Sequence, residues 1–591
     1  MSIRRSTPEV RARAARLLTG ALLLVAAAAC STGAPADEDA DAVPADVLFT
    51  NARFVTLDEA VPEAEALAVR DGRVLAVGEA DALAAHVGPA TEVVDLGGAF
   101  AIPGFIEGHG HFLGIGDAEQ QLALLGTTSW QQIVDMVGEA VARAAPGQLI
   151  RGRGWHQEKW DRAPEHELDG LPLHDGLSAV SPDHPVVLRH ASGHASFANA
   201  KAMEMAGIDF ESRTPDPPGG EIVRDRQGRP TGMFRETAQG LLDAAAAGAA
   251  APDLATLARA ADREVLANGI TSFQDAGTSF AGAAALRELA EAGELDCRLW
   301  VMIRDGANMT AENMAAARVV GAADERFTVR AIKYSIDGAL GPHGAWLLEP
   351  YTDLPTSTGL NTVPVETIEA TSRLCVDYDF QLCVHAIGDR ANRETLDLFE
   401  RAFAGLVGVP GGSAALRWRV EHAQHLHPDD IPRFAEMGVI ASMQGVHCTS
   451  DGPWVEPRLG EQRAREGAYV WRALLDSGAV VTNGTDAPVE DVDPIASYFA
   501  TVTRQMADGT RFYPDQRMSR LEALRSYTLS NAYAAFEEDV KGSLTPGKLA
   551  DITVLSQDIL GCPEDAILDT RVLHTIVGGE VVYSDEALVD G

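Results

Sequence analysis

Two histidines stand two residues apart at the end of a short apolar run. The segment GFIEGHGHF, residues 104–112, contains His109 and His111. Side chains two apart on a β-strand point to the same side, so this pair could hold one divalent metal ion from a strand end. Histidines are also common in loops, and a His-x-His pair does not define a metal site by itself. The other ligands must come from elsewhere in the chain.

Four further residues of metal-binding type lie at the ends of predicted strands. They are Lys333 in IKYSIDG, His385 in HAIGD, His422 in EHAQ and Asp486 in NGTDAPV. Imidazole and carboxylate groups bind divalent ions such as zinc. Singly, each residue has an ordinary alternative: core hydrogen bonding for the histidines, a salt bridge at a barrel rim for Lys333, for example to Asp337, and the start of a turn for Asp486. Their shared position at strand ends favours a metal centre.

The elements that would position these residues alternate between strand and helix. The first predicted strand is AIPGFIEGHGH, and seven more lie at residues 269–277, 297–306, 329–338, 380–389, 416–424, 438–447 and 479–489. Helix-like segments separate them, and Ser519 with Glu522 predicts a capping box at the start of one. Eight strand–helix units indicate an α/β fold of the (β/α)8 TIM barrel type, in which chemistry is placed at the C-terminal strand ends.

The distance from His111 to the second strand is too long for one βαβ unit. We therefore expect an insertion after barrel strand 1, at about residues 113–265, that covers the substrate. Candidate substrate-binding residues are His194, Arg153 and Trp155 from this insertion, and His447, which with Cys448 ends the predicted seventh strand. A structural role for His194, and a local aromatic cluster that includes Trp155 and Trp160, are the alternatives.

Both ends of the chain are rich in short β-like runs. Residues 47–103 and 541–591 have this pattern, and Asp71-Gly72 predicts a hairpin in the first of them. Two such pieces can pair into one small sheet domain. The barrel would then occupy residues 104–540.

The N-terminus is typical of an export signal. Residues 1–30 combine a basic start, the apolar run LLTGALLLVAAAA and Cys30, which resembles the lipobox of bacterial lipoproteins except that Ala27 replaces the usual leucine. Residues 31–46 are small, polar and acidic, which indicates a flexible tether. We expect an exported protein of the bacterial cell envelope, periplasmic or on the outer surface, that meets the membrane only through a lipid anchor on Cys30.

The composition narrows the remaining choices of partner. The 591 residues include 48 Lys and Arg against 86 Asp and Glu, a net charge of −38. Such a charge argues against a nucleic-acid partner, because basic residues would be needed to neutralise its phosphates. Besides Cys30 the chain has five cysteines, an odd number whose spacing fits no disulfide-rich scaffold.

Several phrases of the chain resemble the amidohydrolase superfamily, in particular its family 3 branch, which includes N-substituted formamide deformylase-like proteins. They are PGFIEGHGHF, HAIGD, EHAQ, GTDAPV and GSLTPGKLADITVL, and the resemblance covers about residues 45–585. It implies a metal-dependent hydrolase barrel with a composite β-sandwich domain built from both chain ends. It also implies that CO2 carboxylates Lys333, which then bridges two metal ions.

The resemblance further implies a role for each ligand. His109 and His111 would hold a first ion with Asp486, and His385 and His422 a second. Asp486 would act as general base and then acid in the hydrolysis of amide-type, non-peptide C–N bonds of a small molecule. Glu107 would support the site or only pack. Three questions stay open: one ion or two, a monomer or a homodimer, and an amide substrate against an ester, a lactone or a non-catalytic binding lipoprotein.

Overall fold

The computed structural model describes residues 43–168, 170–210, 214–246, 253–406 and 411–585. The predicted signal segment, Cys30 and nearly all of the predicted tether lie outside the described residues. Among the helices of the described ranges, none is both long enough and apolar enough to span a bilayer.

Eight parallel strands, here numbered β1 to β8, form the barrel and pair in chain order. Nearly all their residues are buried, which explains why the sequence reads as apolar runs rather than as alternation. The fold prediction of a (β/α)8 barrel is confirmed. The strands are Phe105–Gly110, Ile270–Thr278, Arg298–Ile303, Phe327–Ser335, Gln381–Ala386, Arg419–His422, Ile440–Ser442 and Val481–Thr482.

Main-chain hydrogen bonds between β1 and the loop after β8 link the two ends of this sheet. The amide of Gly108 donates to Asn483 O at 3.1 Å, that of Asp486 to His109 O at 2.8 Å, and that of His111 to Ala487 O at 2.7 Å. The link alternates between the two segments, so the loop lies beside β1 as a further strand would. It brings Asp486 next to both histidines of β1.

Helices cover the outside of the barrel and turn their apolar sides to the strands. The capping box predicted at Ser519 and Glu522 is present at the start of Arg520–Ser526. The α-helices after β2 to β8 with at least six residues are Phe280–Glu291, Ala311–Ala317, Val365–Asp377, Asp389–Ala404, Ile431–Met437, Gly445–Leu459, Glu461–Gly467, Trp471–Ser477, Pro494–Thr503, Arg520–Ser526 and Leu529–Ala534.

The insertion after β1 has a sheet and an apolar core of its own. The segment that forms this separate core is shorter than the predicted insertion at 113–265. The helices Phe112–Ala118 and Leu254–Ala267, at the two ends of that range, pack into the barrel core instead. Its strands are Leu122–Ala123, Ile150–Trp155, Val186–His190, Ala195–Ala198, Gly220–Arg224 and Pro230–Glu236, and its longest helix is Trp130–Arg143.

Strands from both chain ends join in one continuous eight-stranded sheet. Its central pairing is antiparallel between Glu92–Pro103 and Ile552–Leu555, with Ile552 opposite Pro103. A buried ion pair between Arg298 of β3 and Asp551, 2.8 Å long, ties this sheet to the barrel. The other strands are Val47–Val55, Glu63–Ala64, Ala66–Arg70, Arg73–Gly78, Val572–Val577 and Glu580–Ser584.

Candidate active site

The two histidines of β1 meet the aspartate that follows β8. His111 Nε2 lies 3.2 Å from Asp486 Oδ1, and His109 Nε2 lies 3.6 Å from the same oxygen. His109 is buried, whereas His111 is partly exposed. The three side chains offer ligand atoms within 4.8 Å of one another, which is a spacing that one ion could use.

Lys333 points into the same space from β4. It is buried, and its Nζ atom lies 3.3 Å from His109 Nε2. The alternative of a rim salt bridge to Asp337 is not realised, because Asp337 accepts hydrogen bonds from the amides of Trp346, Ile387 and Gly388. Lys333 is thus directed at the histidine cluster.

His385 and His422 complete the row of imidazoles along β5 and β6. Their ring centroids are 4.4 Å apart, and the His422 ring is 4.7 Å from that of His109. His422 Nδ1 contacts Gln444 Oε1 at 2.7 Å, and His385 Nε2 lies 3.4 Å from Asp337 Oδ1. The structure therefore brings all six predicted ligand residues to one end of the barrel.

His447 departs from its prediction. The seventh strand ends at Ser442, and His447 lies in the first turn of Gly445–Leu459 rather than at a strand end. Its Nε2 atom is 3.9 Å from Asp486 Oδ2, and His422, His447 and Asp486 offer ligand atoms within 4.8 Å of one another. The geometry makes His447 a candidate ligand rather than only a substrate contact.

The charges of this cluster suit a cation. Burial is the main reason that the pKa values of His109 and His385 lie well below 6.5, and it lowers the pKa of His422 to about 3. Burial alone would raise the pKa of Asp486, but the His111 imidazole, whose Nε2 lies 3.2 Å from Oδ1, and the other nearby imidazoles hold it well below its usual range. Neutral imidazoles thus face an ionised carboxylate.

Several of these atoms have no hydrogen-bond partner within the described ranges. They are His385 Nε2, His447 Nε2 and Asp486 Oδ1, all buried. Buried polar atoms in proteins nearly always have a partner. Nitrogen and oxygen donors that converge without partners match the ligand set of zinc and similar divalent ions, so these residues fit a divalent metal.

Two buried charges that sequence reasoning missed support His109. Glu421 of β6 hydrogen-bonds His109 Nδ1, and Arg419 Nε lies 2.7 Å from Glu421 Oε1. A carboxylate on one ring nitrogen fixes the tautomer and turns the lone pair of the other outward. The signal was present in RWRVEH, where charged Arg419 and Glu421 alternate with apolar residues on a barrel strand.

Glu107 of β1 is buried and accepts from the loop after β8. Its Oε1 atom accepts from the amide of Thr485 at 2.6 Å, and its Oε2 atom accepts from Thr485 Oγ1 at 3.1 Å. Burial raises the pKa of Glu107 to about 8. Of its two predicted roles, the structure favours support of the site, since these bonds hold the segment that carries Asp486.

Two cavities flank His194 of the insertion. The smaller, of about 510 Å³, is lined by His385, His422, His447 and Asp486, and the larger, of about 1330 Å³, by His111 and Lys333. His194 lines both, and its Nδ1 atom contacts Glu236 Oε2 at 2.7 Å.

The other two insertion residues differ from each other in position. Arg153 lines the larger cavity and donates to Pro488 O at 3.1 Å. Trp155 is fully buried, its Nε1 atom donates to Leu188 O, and its ring stacks with that of Trp160. The prediction that Trp155 binds substrate is therefore wrong, and the aromatic-cluster alternative holds.

Most of this chain is similar in sequence to known proteins. Residues 92–583 match the amidohydrolase family. Protein LONG AFTER FAR-RED 3 of Arabidopsis thaliana is 32% identical over 556 residues, which cover 92% of each protein. N-substituted formamide deformylase of Arthrobacter pascens is 27% identical over 548 residues, which cover 91% of this chain and 98% of the relative.

A solved structure shares the architecture as well. An uncharacterized metal-dependent hydrolase from Pyrococcus furiosus matches with a TM-score of 0.64 at 27% identity, covering 87% of this chain and 99% of the other. The family match spans the barrel strands and, in the terminal sheet, the central pair Glu92–Pro103 and Ile552–Leu555. The chain therefore belongs to the amidohydrolase family.

Proposed function

We propose that this protein is an exported, metal-dependent hydrolase of amide-type C–N bonds in small molecules. The observation that carries the proposal is the ionised Asp486 carboxylate, which lies beside His109 and His111 at the wall of an open cavity. Membership of the amidohydrolase family supports the reaction type, and the name of the formamide deformylase relative supports an amide as substrate.

His109, His111 and Asp486 would hold one divalent ion, zinc in this proposal. His385 and His422 would hold a second, with His447 close enough to contribute. A bound ion of this kind polarises a carbonyl oxygen and lowers the pKa of water toward 7. The hydrogen bond that His109 Nδ1–H donates to the Glu421 carboxylate keeps the lone pair of Nε2 directed at the site.

Asp486 would move the proton. Its carboxylate is ionised at neutral pH, as a general base requires. It would take a proton from the attacking water and pass it to the leaving nitrogen of the amide.

Lys333 would supply a carbamate. CO2 adds to the neutral amine with loss of one proton, and the product carries one negative charge and two oxygens. Burial, the main cause, lowers the pKa of Lys333 to about 8 and so favours the neutral amine. An ammonium group at this position would repel a bound cation.

A hydrolysis screen tests the proposal. Purified protein loaded with zinc is offered N-formyl compounds, N-acyl amino acids, cyclic imides and lactones, and chelated protein is the control. We expect metal-dependent release of amine from at least one amide class. Turnover of lactones or esters with no amide hydrolysed would contradict the C–N assignment, and no turnover of any class would favour a binding lipoprotein.

A further inference from the structure

Three arginines line the larger cavity beside the metal-ligand residues. Arg153 and Arg189 come from the insertion, and Arg304 follows β3. In a chain of net charge −38 such a concentration of positive charge is unexpected. Surface arginines of this protein are commonly paired with acids, as Arg151 is with Asp117 at 3.0 Å.

The three arginines lack such partners. Arg153 donates to the main-chain oxygens of Pro488 and Ala191, and Arg189 donates to that of Gly193. Within the described parts of the chain, no carboxylate lies at ion-pairing distance from any of the three guanidinium groups. Carbonyl dipoles hold two of these groups in place without cancelling their charge.

Arg153 and Arg189 converge on one point. A methyl group added at Gly193 would lie 3.8 Å from Arg153 Nη2 and equally 3.8 Å from Arg189 Nε and Nη2. Gly193 has no side chain, so this point stays open. Arg304 approaches the same cavity with its aliphatic part packed against Gly277.

The cavity also contains opposing charge. Glu236 lines it, but its Oε2 atom is engaged by His194 Nδ1 at 2.7 Å, and Asp486 belongs to the ligand set. Arg189 and Arg304 are exposed to the cavity, yet protein surrounds them closely enough that burial lowers the pKa of both. Three unpaired guanidinium groups therefore outweigh the acids.

We propose that Arg153, Arg189 and Arg304 form an anion subsite that binds a carboxylate of the substrate. The proposal rests on the proposed function and narrows it to N-acyl compounds that carry a carboxylate on the amine side. Planar guanidinium forks match the two oxygens of a carboxylate and bind it with two parallel hydrogen bonds. The metal-ligand residues would receive the amide while the arginines hold the far end of the molecule.

Paired substrates test the subsite. N-acetyl ω-amino acids with one to five methylenes between nitrogen and carboxylate are compared with their primary amides, which have the same shape without the charge. We expect the wild type to favour the acid of the best length by about 10- to 100-fold in kcat/KM, the range of one charge-assisted hydrogen bond. Arg189→Gln and Arg304→Gln should each remove most of that preference, mainly through KM, because they lower kcat/KM far more for the acids than for the amides.

Arg287→Gln is the matched control. Arg287 pairs with Glu291 on an exposed helix, so this change removes one positive charge outside the cavity. A phosphonate series distinguishes the kind of anion. Stronger preference for phosphonates than for carboxylates would overturn the carboxylate assignment, and equal treatment of acids and amides would overturn the subsite.

A binding measurement separates this inference from the proposed function. In methyl ketone acids such as levulinate, a methylene replaces the amide NH, so they cannot be hydrolysed as amides. Calorimetry should show that the acids bind zinc-loaded protein more tightly than their primary amides, and that Arg189→Gln and Arg304→Gln abolish the difference. If no amide is hydrolysed but this difference is found, the proposed function fails while the subsite stands; if no acid outbinds its amide, the subsite fails.

Discussion

Asp486 is positioned by its main chain rather than by its side-chain partners. Its φ of 59° lies in the left-handed region, where aspartate is one of the few residues tolerated. The amide hydrogen bond to His109 O holds it there, and Oδ1 has no hydrogen-bond partner within the described ranges. Substitutions that keep the backbone should therefore report on chemistry.

Replacing the carboxylate with an amide isolates its role as base. Asp486→Asn keeps an oxygen ligand and removes the group that accepts the proton. We expect metal content that is retained or modestly reduced, with kcat lower by about 10²- to 10⁴-fold. Metal analysis alongside steady-state kinetics checks this, and activity near the wild-type level would remove Asp486 from the proton path.

Lys333 can be tested by chemical rescue. Lys333→Ala removes the carbamate, so we expect metal and activity to be lost together. A small carboxylic acid at high concentration should restore part of both, because it supplies two oxygens in the vacated space. Metal content and turnover are measured with and without added acetate or propionate. A Lys333→Ala protein that keeps two ions and full activity would refute the bridging role.

His194 separates substrate recognition from metal binding. It lines both cavities and is not part of either ligand group. His194→Ala should change the ranking of substrates by kcat/KM and leave metal content unchanged. His427→Ala, at an exposed histidine outside both cavities, is the control. Identical constants for wild type and His194→Ala on every substrate would leave His194 a structural residue.

The loop after β8 acts as a structural element although it contains no regular strand. Gly484 shows how tightly it is packed against β1. A Cβ atom there would lie 2.3 Å from Glu107 Oε1 and 2.8 Å from His109 N. A side chain at Gly484 would push the loop away from β1, and Asp486 would move with it.

Gly484→Ala should therefore damage stability and site together. Overpacking of this kind costs about 1–3 kcal/mol, and displacement of Asp486 should lower kcat/KM by at least about tenfold, the ratio that 1.4 kcal/mol corresponds to. Thermal unfolding and kinetics measure the two effects. Gly126→Ala is the control, since its added methyl would meet nothing within 4 Å. Equal behaviour of the two variants would show that the loop adapts.

Buried histidines remote from the cluster predict acid sensitivity. Burial lowers the pKa of His190 and of His425 from 6.5 to about 3. The unfolded chain takes up their protons below about pH 6.5 and the folded chain does not, so the stabilisation is complete above that pH and declines as pH falls toward 3. The decline is about 1.4 kcal/mol per pH unit for each histidine.

Urea unfolding between pH 7.5 and 5 measures this slope. In His425→Gln the free energy of unfolding should fall less steeply with decreasing pH than in wild type, by about 1.4 kcal/mol per pH unit. The same slope in wild type and His425→Gln would mean that His425 is protonated in the folded protein.

The limits of the sequence prediction lie in particular elements. Barrel strands were recognisable from their apolar runs, and His109, His111 and Asp486 from their place at strand ends. The strand lengths could not be predicted in the same way. β7 and β8 have only three and two residues, but apolar residues continue past their ends. His447 was therefore placed on a strand, although it begins a helix.

Contacts between distant segments were also beyond the sequence. The support of His109 by Glu421 depends on barrel closure, and the convergence of Arg153 with Arg304 depends on how the insertion folds over β3. Trp155 was misjudged because Arg153 and Trp155, two residues apart, would share a face of a regular strand, whereas the register shift of this strand and the φ of 108° at Gly154 break that pattern. Spacing within one segment is local, whereas these relations arise from tertiary structure.

At the scale of the whole molecule, the sequence predicts that Cys30 determines where the protein acts. The basic and apolar segment before it predicts cleavage and lipid attachment, and stable anchoring requires more than one acyl chain. Cys30→Ser should release the protein into a soluble fraction with unchanged kinetic constants. Membrane fractionation and N-terminal sequencing check this. A soluble wild type whose N-terminus lies elsewhere would refute the anchor.

The sheet built from both chain ends also determines when folding can finish. Glu92–Pro103 is made early, but its partner Ile552–Leu555 is made only after the barrel sequence is complete. Until then one edge of Glu92–Pro103 has no paired strand, and unpaired apolar edges promote aggregation. A chain truncated before Ile552–Leu555 should therefore be synthesised at the normal level but recovered mostly as insoluble protein.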